Sequence, residues 1–198
     1  MVKEIDCRKL NCPLPVINTK KALEEGHDSI TVIVDSIVSR DNVRRFVQSQ
    51  GHEVKIEDRG DNLYYLQITR NPEAGKKPVG AANVPTTGGV VVFITTDQLG
   101  IGDERLGGIL MKAFLNTLHD SEPKPEKMLF INNGVKLTTE GSEVLDSLAA
   151  LTADGVQIMS CGTCLNYYGI LDKLKFGIVG NMYDIVNSLL EAGKVIKI

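Results

Sequence analysis

The stretch Asn71 to Gly88, NPEAGKKPVGAANVPTTG, constrains the architecture more than any other part of this chain. It is rich in Gly, Pro and Ala and carries no hydrophobic periodicity, which reads as a linker. Placed over residues 72–88 of 198, it leaves 1–71 on one side and 89–198 on the other. Each part suits one small domain. A flexible coil of this length spans on the order of 20–25 Å, enough for two domains to meet and separate.

Before the linker the pattern predicts strand, helix, strand, helix and a hairpin. VKEIDC alternates as a short strand. Pro13 opens a helix that runs to about Glu25 and stops at Gly26. SITVIVD is an apolar, β-branched strand. The next helix runs from about Ser39 to Gln50, with Val43, Phe46 and Val47 at helical spacing and Gly51 as its stop. HEVKIED and LYYLQIT flank an RGDN turn as hairpin strands. The order βαβαββ makes a two-layer α/β sandwich.

After the linker, β and α segments alternate. GVVVFIT is a continuous apolar run, as a strand covered on both faces requires. A helix is predicted from about Glu104 to Leu118, its stripe formed by Leu106, Ile109, Leu110, Ala113 and Phe114. KMLFIN, VQIMS and VIKI read as strands, with FGIVG a candidate for one more. SEVLDSLAALTAD and MYDIVNSLLEA read as amphipathic helices. Repeated βα units predict a mostly parallel, three-layer α/β domain.

Hydrophobic residues make up 42% and charged residues 24%, ordinary for a soluble globular protein. A net charge of −3 offers no electrostatic footprint for nucleic acid or an anionic membrane. The first residues, MVKEIDCRKL, lack the apolar core of a signal peptide. No apolar run approaches the roughly 18 residues of a membrane span. A cytoplasmic setting is expected, where thiols stay reduced. Four cysteines are then too few for a disulfide scaffold and read as chemistry, metal ligands or core filler.

One of them precedes two prolines in LNCPLPVINTKKAL. Proline suits a helix's first turn, where amides have no intrahelical partner to lose. Pro13 at the first helical position puts Cys12 at the N-cap, a place usually held by Ser, Thr, Asp or Asn. A thiol there faces the positive end of the helix dipole, which favours the thiolate. Arg8, Lys9, Lys20 and Lys21 are close in sequence and would add positive potential. The bland alternative is a structural cysteine that happens to precede a helix.

DCRKLNCPLPVINTKKAL resembles the TusA (SirA-like) sulfur-carrier family, marked by a cysteine followed by Pro-x-Pro at the start of the first helix. The resemblance covers residues 1 to about 70 and implies that Cys12 carries sulfur as a persulfide. Cys7 stands where that family has a small residue, and Lys9 where glycine is common. Cys7 reads as strand filler or as a resolving thiol.

The other pair lies in SCGTCLNYYG, in a predicted strand-to-helix loop. In parallel α/β sheets, sites form at the C-terminal edge of the strands. Cys161 and Cys164 could form a redox dithiol, ligate zinc, or exchange persulfide sulfur. Zinc needs two further ligands, and no second Cys-x-x-Cys or paired histidines exist. This half resembles the DsrE-like domains, from VVVFITTDQLGIGDERLG through FINNGVKL to the final strand. Members with sulfur-transfer activity carry a cysteine after the third strand and a glycine eight residues on. Cys161 and Gly169 match, which implies the acceptor role for Cys161. Cys164 is an addition to that pattern. Such domains often assemble, which adds a homo-oligomer to the implied partners. The two domains fused, with CGTCLNYYG, resemble the YedF proteins, sulfurtransferase-like and tied to selenium metabolism.

Other signals are weaker. TTDQLGIGDERLG imitates a phosphate loop, but Asp103 and Glu104 occupy the anion's place and no Gly-Lys-Ser/Thr follows. It reads as a capped helix start, which also disfavours a flavin. His27, His52 and His119 show no ligand spacing. Tyr167 and Tyr168 would line the thiol site or fill core, and KLTTEGSEVL reads as a helix cap at Thr138 and Thr139.

The resulting expectation is a sulfur or selenium relay that needs no cofactor or metal. Its implied donor is a cysteine desulfurase or another sulfurtransferase, and its acceptor a thiol protein. The rivals are a thiol–disulfide oxidoreductase using Cys161 and Cys164, and a regulator that binds a sulfurtransferase without chemistry of its own.

Overall fold

The computed structural model describes residues 2–72 and 88–198. These form two compact units divided between Asn83 and Val84. The predicted linker falls almost wholly on 73–87, outside the described residues.

The first unit runs β1 (Val2–Asp6), α1 (Leu14–Glu24), β2 (Ser29–Val34), α2 (Ile37–Ser49), β3 (Glu53–Asp58) and β4 (Tyr64–Thr69). The sheet order is β1-β2-β4-β3. β1 lies parallel to β2, and β4 runs antiparallel to both β2 and β3, with Ile30 opposite Ile68 and Ile56 opposite Leu66. Alternation fixes which face is inside. Tyr64, Leu66 and Ile68 are buried on β4, while Gln67 and Thr69 are exposed. Both helices lie on the inner face, where Val16, Val43, Phe46 and Val47 meet Ile30, Val32 and Leu66 in the core. The expected two-layer βαβαββ sandwich is the observed fold. Helix α2 begins earlier than the apolar spacing suggests, because Ser36 caps it by accepting the Ser39 amide at 3.1 Å.

The second unit runs β5 (Val90–Ile94), α3 (Glu104–Asp120), β6 (Lys127–Phe130), α4 (Leu145–Ala153), β7 (Gln157–Cys161), α5 (Gly162–Tyr167), β8 (Ile178–Gly180), α6 (Met182–Glu191) and β9 (Lys194–Lys197). All neighbouring strands are parallel, in the order β8-β7-β6-β5-β9. The inner strands carry the buried runs, among them Val91, Val92, Met128, Leu129 and Phe130, as helix cover on both faces demands. FGIVG supplies the edge strand β8.

Two local expectations are overturned. On α3 the buried positions are Gly107, Met111 and Leu115, whereas Leu106 is 53% and Ile109 58% exposed. The sequence has apolar residues on two faces of this helix, and Gly107 decides between them. A Cβ there would stand 2.9 Å from the Gln98 side chain, so the helix packs through this small residue. Thr138 and Thr139 do not cap α4, whose N-cap is Val144. They end a 3-10 turn, Asn132–Thr138, and are buried, the Thr138 hydroxyl 2.9 Å from that of Ser160.

Candidate functional site

The loop from β1 to α1 is pinned to the end of β2. The Cys7 amide donates to Ile33 O and the Lys9 amide to Asp35 Oδ2, each at 2.8 Å. Lys9 has φ 61, a left-handed conformation that glycine adopts without cost. Cys7 is fully buried, its Sγ 3.9 Å from Asn18 Nδ2, and burial pushes its thiol pKa up.

Cys12 is half-buried and does not cap α1. The first carbonyl used by the helix is that of Pro13, bonded by the Ile17 amide at 3.0 Å. Pro13 is therefore the N-cap, and Cys12 stands one residue outside it. The cause is local. The Leu14 amide closes a turn onto Asn11 O at 2.9 Å, and Pro13, at φ −99 and ψ 13, lies off the helical well. The thiol finds a different donor, Asn42 Nδ2 on α2, 3.8 Å from Cys12 Sγ. Asn42 is 2% exposed.

Arg8 and Lys20, two of the four cations that the sequence offers, are engaged elsewhere. Arg8 Nη2 pairs with Asp6 Oδ2 at 2.6 Å, which holds the Asp6 carboxyl at about 2. Lys20 pairs with Glu24 at 3.4 Å, and Lys21 lies in the last turn of α1, away from Cys12.

The second pair does not occupy a loop. Cys161 ends β7 and is the N-cap of α5, and Cys164 lies within that helix. This follows from chain economy: β7 passes into α5 with no residue between. Cys161 is 2% exposed, whereas Cys164 is half-buried. Burial pushes the Cys161 thiol up to about 12. The amides of Cys164 and Thr163 pull it down, and the hydrogen bond to the Cys164 side chain and the Cys164 charge push it up. Cys164 Sγ also accepts the Asn132 amide at 3.2 Å. Asn132 has φ 50, a conformation that asparagine tolerates better than most residues, and opens the 3-10 turn after β6. Tyr168 steadies this turn, its hydroxyl donating to Asn132 Oδ1 at 3.0 Å and to Asn133 Oδ1.

A groove of about 810 Å³ borders Tyr168 and is lined by Glu104, Arg105, Lys112, Lys136 and Glu140 among others. Lys136 Nζ lies 4.9 Å above the Tyr168 ring. Neither cysteine lines the groove, and Tyr167 is exposed. Asp103 caps α3 by accepting the Leu106 amide at 2.8 Å, so the helix start expected from the glycine-rich stretch is satisfied by its own carboxylate. Among the described residues no group of three or more His, Cys, Asp or Glu side chains could hold a metal ion. No helix among them is long and apolar enough to cross a membrane.

Residues 3–70 match the family described as Sulfurtransferase TusA. A candidate sulfur-carrier protein of Methanocaldococcus jannaschii is 30% identical over 71 residues, covering 35% of this chain and 95% of the relative. The chain belongs to the TusA family. The crystal structure of a SirA-like protein from Desulfitobacterium hafniense is 32% identical, over 35% of this chain and 96% of that one, with a TM-score of 0.32. Membership gives the TusA-like unit a setting in sulfur relay, between sulfur donors and acceptors. Beyond that unit, the ychN protein of E. coli is 18% identical over 57% of this chain and 100% of its own, with a TM-score of 0.44.

Sequence reasoning missed the residues that touch Cys12 and Cys164 in this TusA-family chain. Asn42 shares the inward stripe of α2 with Val43 and Phe46. A polar side chain on an apolar stripe is a visible sign that it serves a partner. Asn132 begins Asn-Asn-Gly after a buried strand, a sign of positive φ, but which sulfur its amide meets depends on the fold.

Proposed function

We propose that this protein relays sulfane sulfur, carried as a persulfide on Cys12 of a TusA-like domain (1–71) and exchanged with Cys161 and Cys164 of a DsrE-like domain (89–198) beyond a linker (72–88). The observation that carries the reading is the half-buried Cys12 sulfur beside a buried amide donor, in a chain of the TusA family. A perthiolate keeps its charge on the outer sulfur, and a fixed neutral donor supports it without locking it in an ion pair. Transfer is thiolate attack on that outer sulfur, governed by access and nucleophilicity. The donor is a cysteine desulfurase or another sulfurtransferase, the final acceptor a thiol protein, and the setting cytoplasmic. Selenium follows the same thiol logic, and the YedF-like fusion makes it a candidate cargo.

The placing of Cys161 at the N-cap of α5 and Cys164 in its first turn favours one rival, a thiol–disulfide oxidoreductase. Intact-protein mass spectrometry after anaerobic incubation with a persulfide donor separates the two, using wild type, Cys12→Ala and Cys161→Ala. A gain of one sulfur atom that maps to Cys12 and is lost in Cys12→Ala supports the carrier. No gain on any thiol, with loss of two hydrogens between Cys161 and Cys164, supports the oxidoreductase.

A further inference from the structure

We infer that Cys164 is the thiol of the second pair that takes the sulfur, and that Cys161 is the resolving thiol beneath it. This deepens the relay reading and rests on it. Nucleophilic exchange at sulfur needs the attacking atom to be reachable by a bulky disulfide-like partner, in line with the bond that breaks. Cys161 Sγ fails that requirement in the folded chain, because the residue is 2% exposed at the β7–α5 junction. Cys164 is half-buried, three residues on and within α5.

The hydrogen bonds point the same way. The backbone amide of Asn132 faces Cys164 Sγ at 3.2 Å. A donor held in this way orients the sulfur it faces. The Asn132 amide is aimed by a left-handed residue and held by the Tyr168 hydroxyl, so its direction is built into the fold.

The chemistry balances in two steps. Cys164 Sγ attacks the outer sulfur of a donor persulfide. A bond forms from Cys164 Sγ to that sulfur, the donor's sulfur–sulfur bond breaks, and the electron pair leaves on the donor thiolate, which takes up the Cys164 proton. Where no acceptor thiol takes the sulfur, Cys161 Sγ then attacks Cys164 Sγ. The Cys161–Cys164 disulfide forms and the terminal sulfur leaves as hydrosulfide, accompanied by the Cys161 proton. The sulfane sulfur gains two electrons and the two cysteines lose them. A dithiol reductant restores the pair.

The first test is pulse alkylation of the native full chain with iodoacetamide, mapped by peptide mass. Cys164 is expected to label at least about tenfold faster than Cys161. The second is loading with glutathione persulfide in a Cys12→Ala background. Sulfur is expected to accumulate on Cys164 when Cys161→Ser is added, and to reach Cys161 roughly tenfold less when Cys164→Ser is added. Faster labelling of Cys161, or full loading of Cys161 without Cys164, overturns the assignment. Faster labelling of Cys164 with no sulfur gained by it overturns the accepting role, while the carrier reading is judged separately by loading of Cys12 in the chain that retains it.

Discussion

Asn42 Nδ2 stands 3.8 Å from Cys12 Sγ, across 30 residues of sequence and on a different helix. The amide is buried and its Nδ2 faces the sulfur, so the thiol offsets part of its cost of burial. Asn42→Leu keeps the volume and deletes the donor. Its persulfide on Cys12 should be lost between about tenfold and about a hundredfold faster than in wild type, the effect of one hydrogen bond to a charged group. Asn42→Asp keeps the shape but opposes negative charge, and should load still less. Timed mass spectrometry after a single loading pulse checks both, and equal lifetimes in all three proteins would dismiss the contact as packing.

Lys9 occupies φ 61 while its amide holds Asp35 Oδ2. A side chain in this region costs about 1 kcal/mol that glycine does not incur. Lys9→Gly should therefore leave the loop intact and stabilise the N-terminal unit by up to about 1 kcal/mol, after the entropy glycine adds to the unfolded chain is subtracted. Hydrogen exchange of the β2 amides reports this directly; faster exchange in the variant would mean that the lysine side chain contributes to the loop.

The two faces of α3 differ in what they support. Met111 is 1% exposed and sits in the core, so Met111→Ala should cost about 2–5 kcal/mol. Ile109 is largely exposed, and Ile109→Ser should change stability by no more than about 0.5 kcal/mol. Urea denaturation of the two variants, compared through exchange of β5 amides, distinguishes this packing from the reverse.

That contrast shows where the sequence stops being legible. The chain order of strands and helices within each half, a mostly parallel second sheet and a helix beginning near the Pro-x-Pro follow from periodicity and from proline chemistry. The face of α3 does not, because its apolar residues are spread around the helix and only the close approach of Gln98 to Gly107 selects one side. The cap of α1 is a similar case. Two prolines announce a helix start, but the turn from Asn11 to Leu14 moves that start one residue past Cys12. At the second pair, Cys-x-x-Cys spacing puts two sulfurs within reach of each other. Which of them is reachable depends on burial at the end of β7, and the Asn132 amide comes from the end of another strand.

The raised pKa of Cys161 has a consequence for stability. Its thiol titrates near 9.0 when unperturbed and at about 12 in the fold. The folded state thus holds the proton more tightly, and the stability this contributes is complete below 9.0 and lost as pH rises towards 12. Wild type should lose stability faster than Cys161→Ala between about pH 8 and about pH 10, because the variant lacks the titrating group. Parallel urea curves for both proteins across that range measure the difference. A constant gap would mean that Cys161 titrates normally in the fold.

Tyr168 gives a separate handle on Cys164. Its hydroxyl bonds the side chains of Asn132 and Asn133, and the Asn132 amide faces Cys164 Sγ, so the tyrosine reaches the sulfur only through the turn. Tyr168→Phe retains the ring beneath Lys136 and removes the hydroxyl alone. The turn should loosen, the amide should spend less time on the sulfur, and alkylation of Cys164 should slow by about two- to fivefold, within the range of one neutral hydrogen bond. Cys12 alkylation in the same sample should not change, which separates a local effect from general loss of structure. If Cys164 reacts at the wild-type rate in this variant, the Asn132 amide makes no contribution to its reactivity, and exposure alone would account for the ordering of the two thiols.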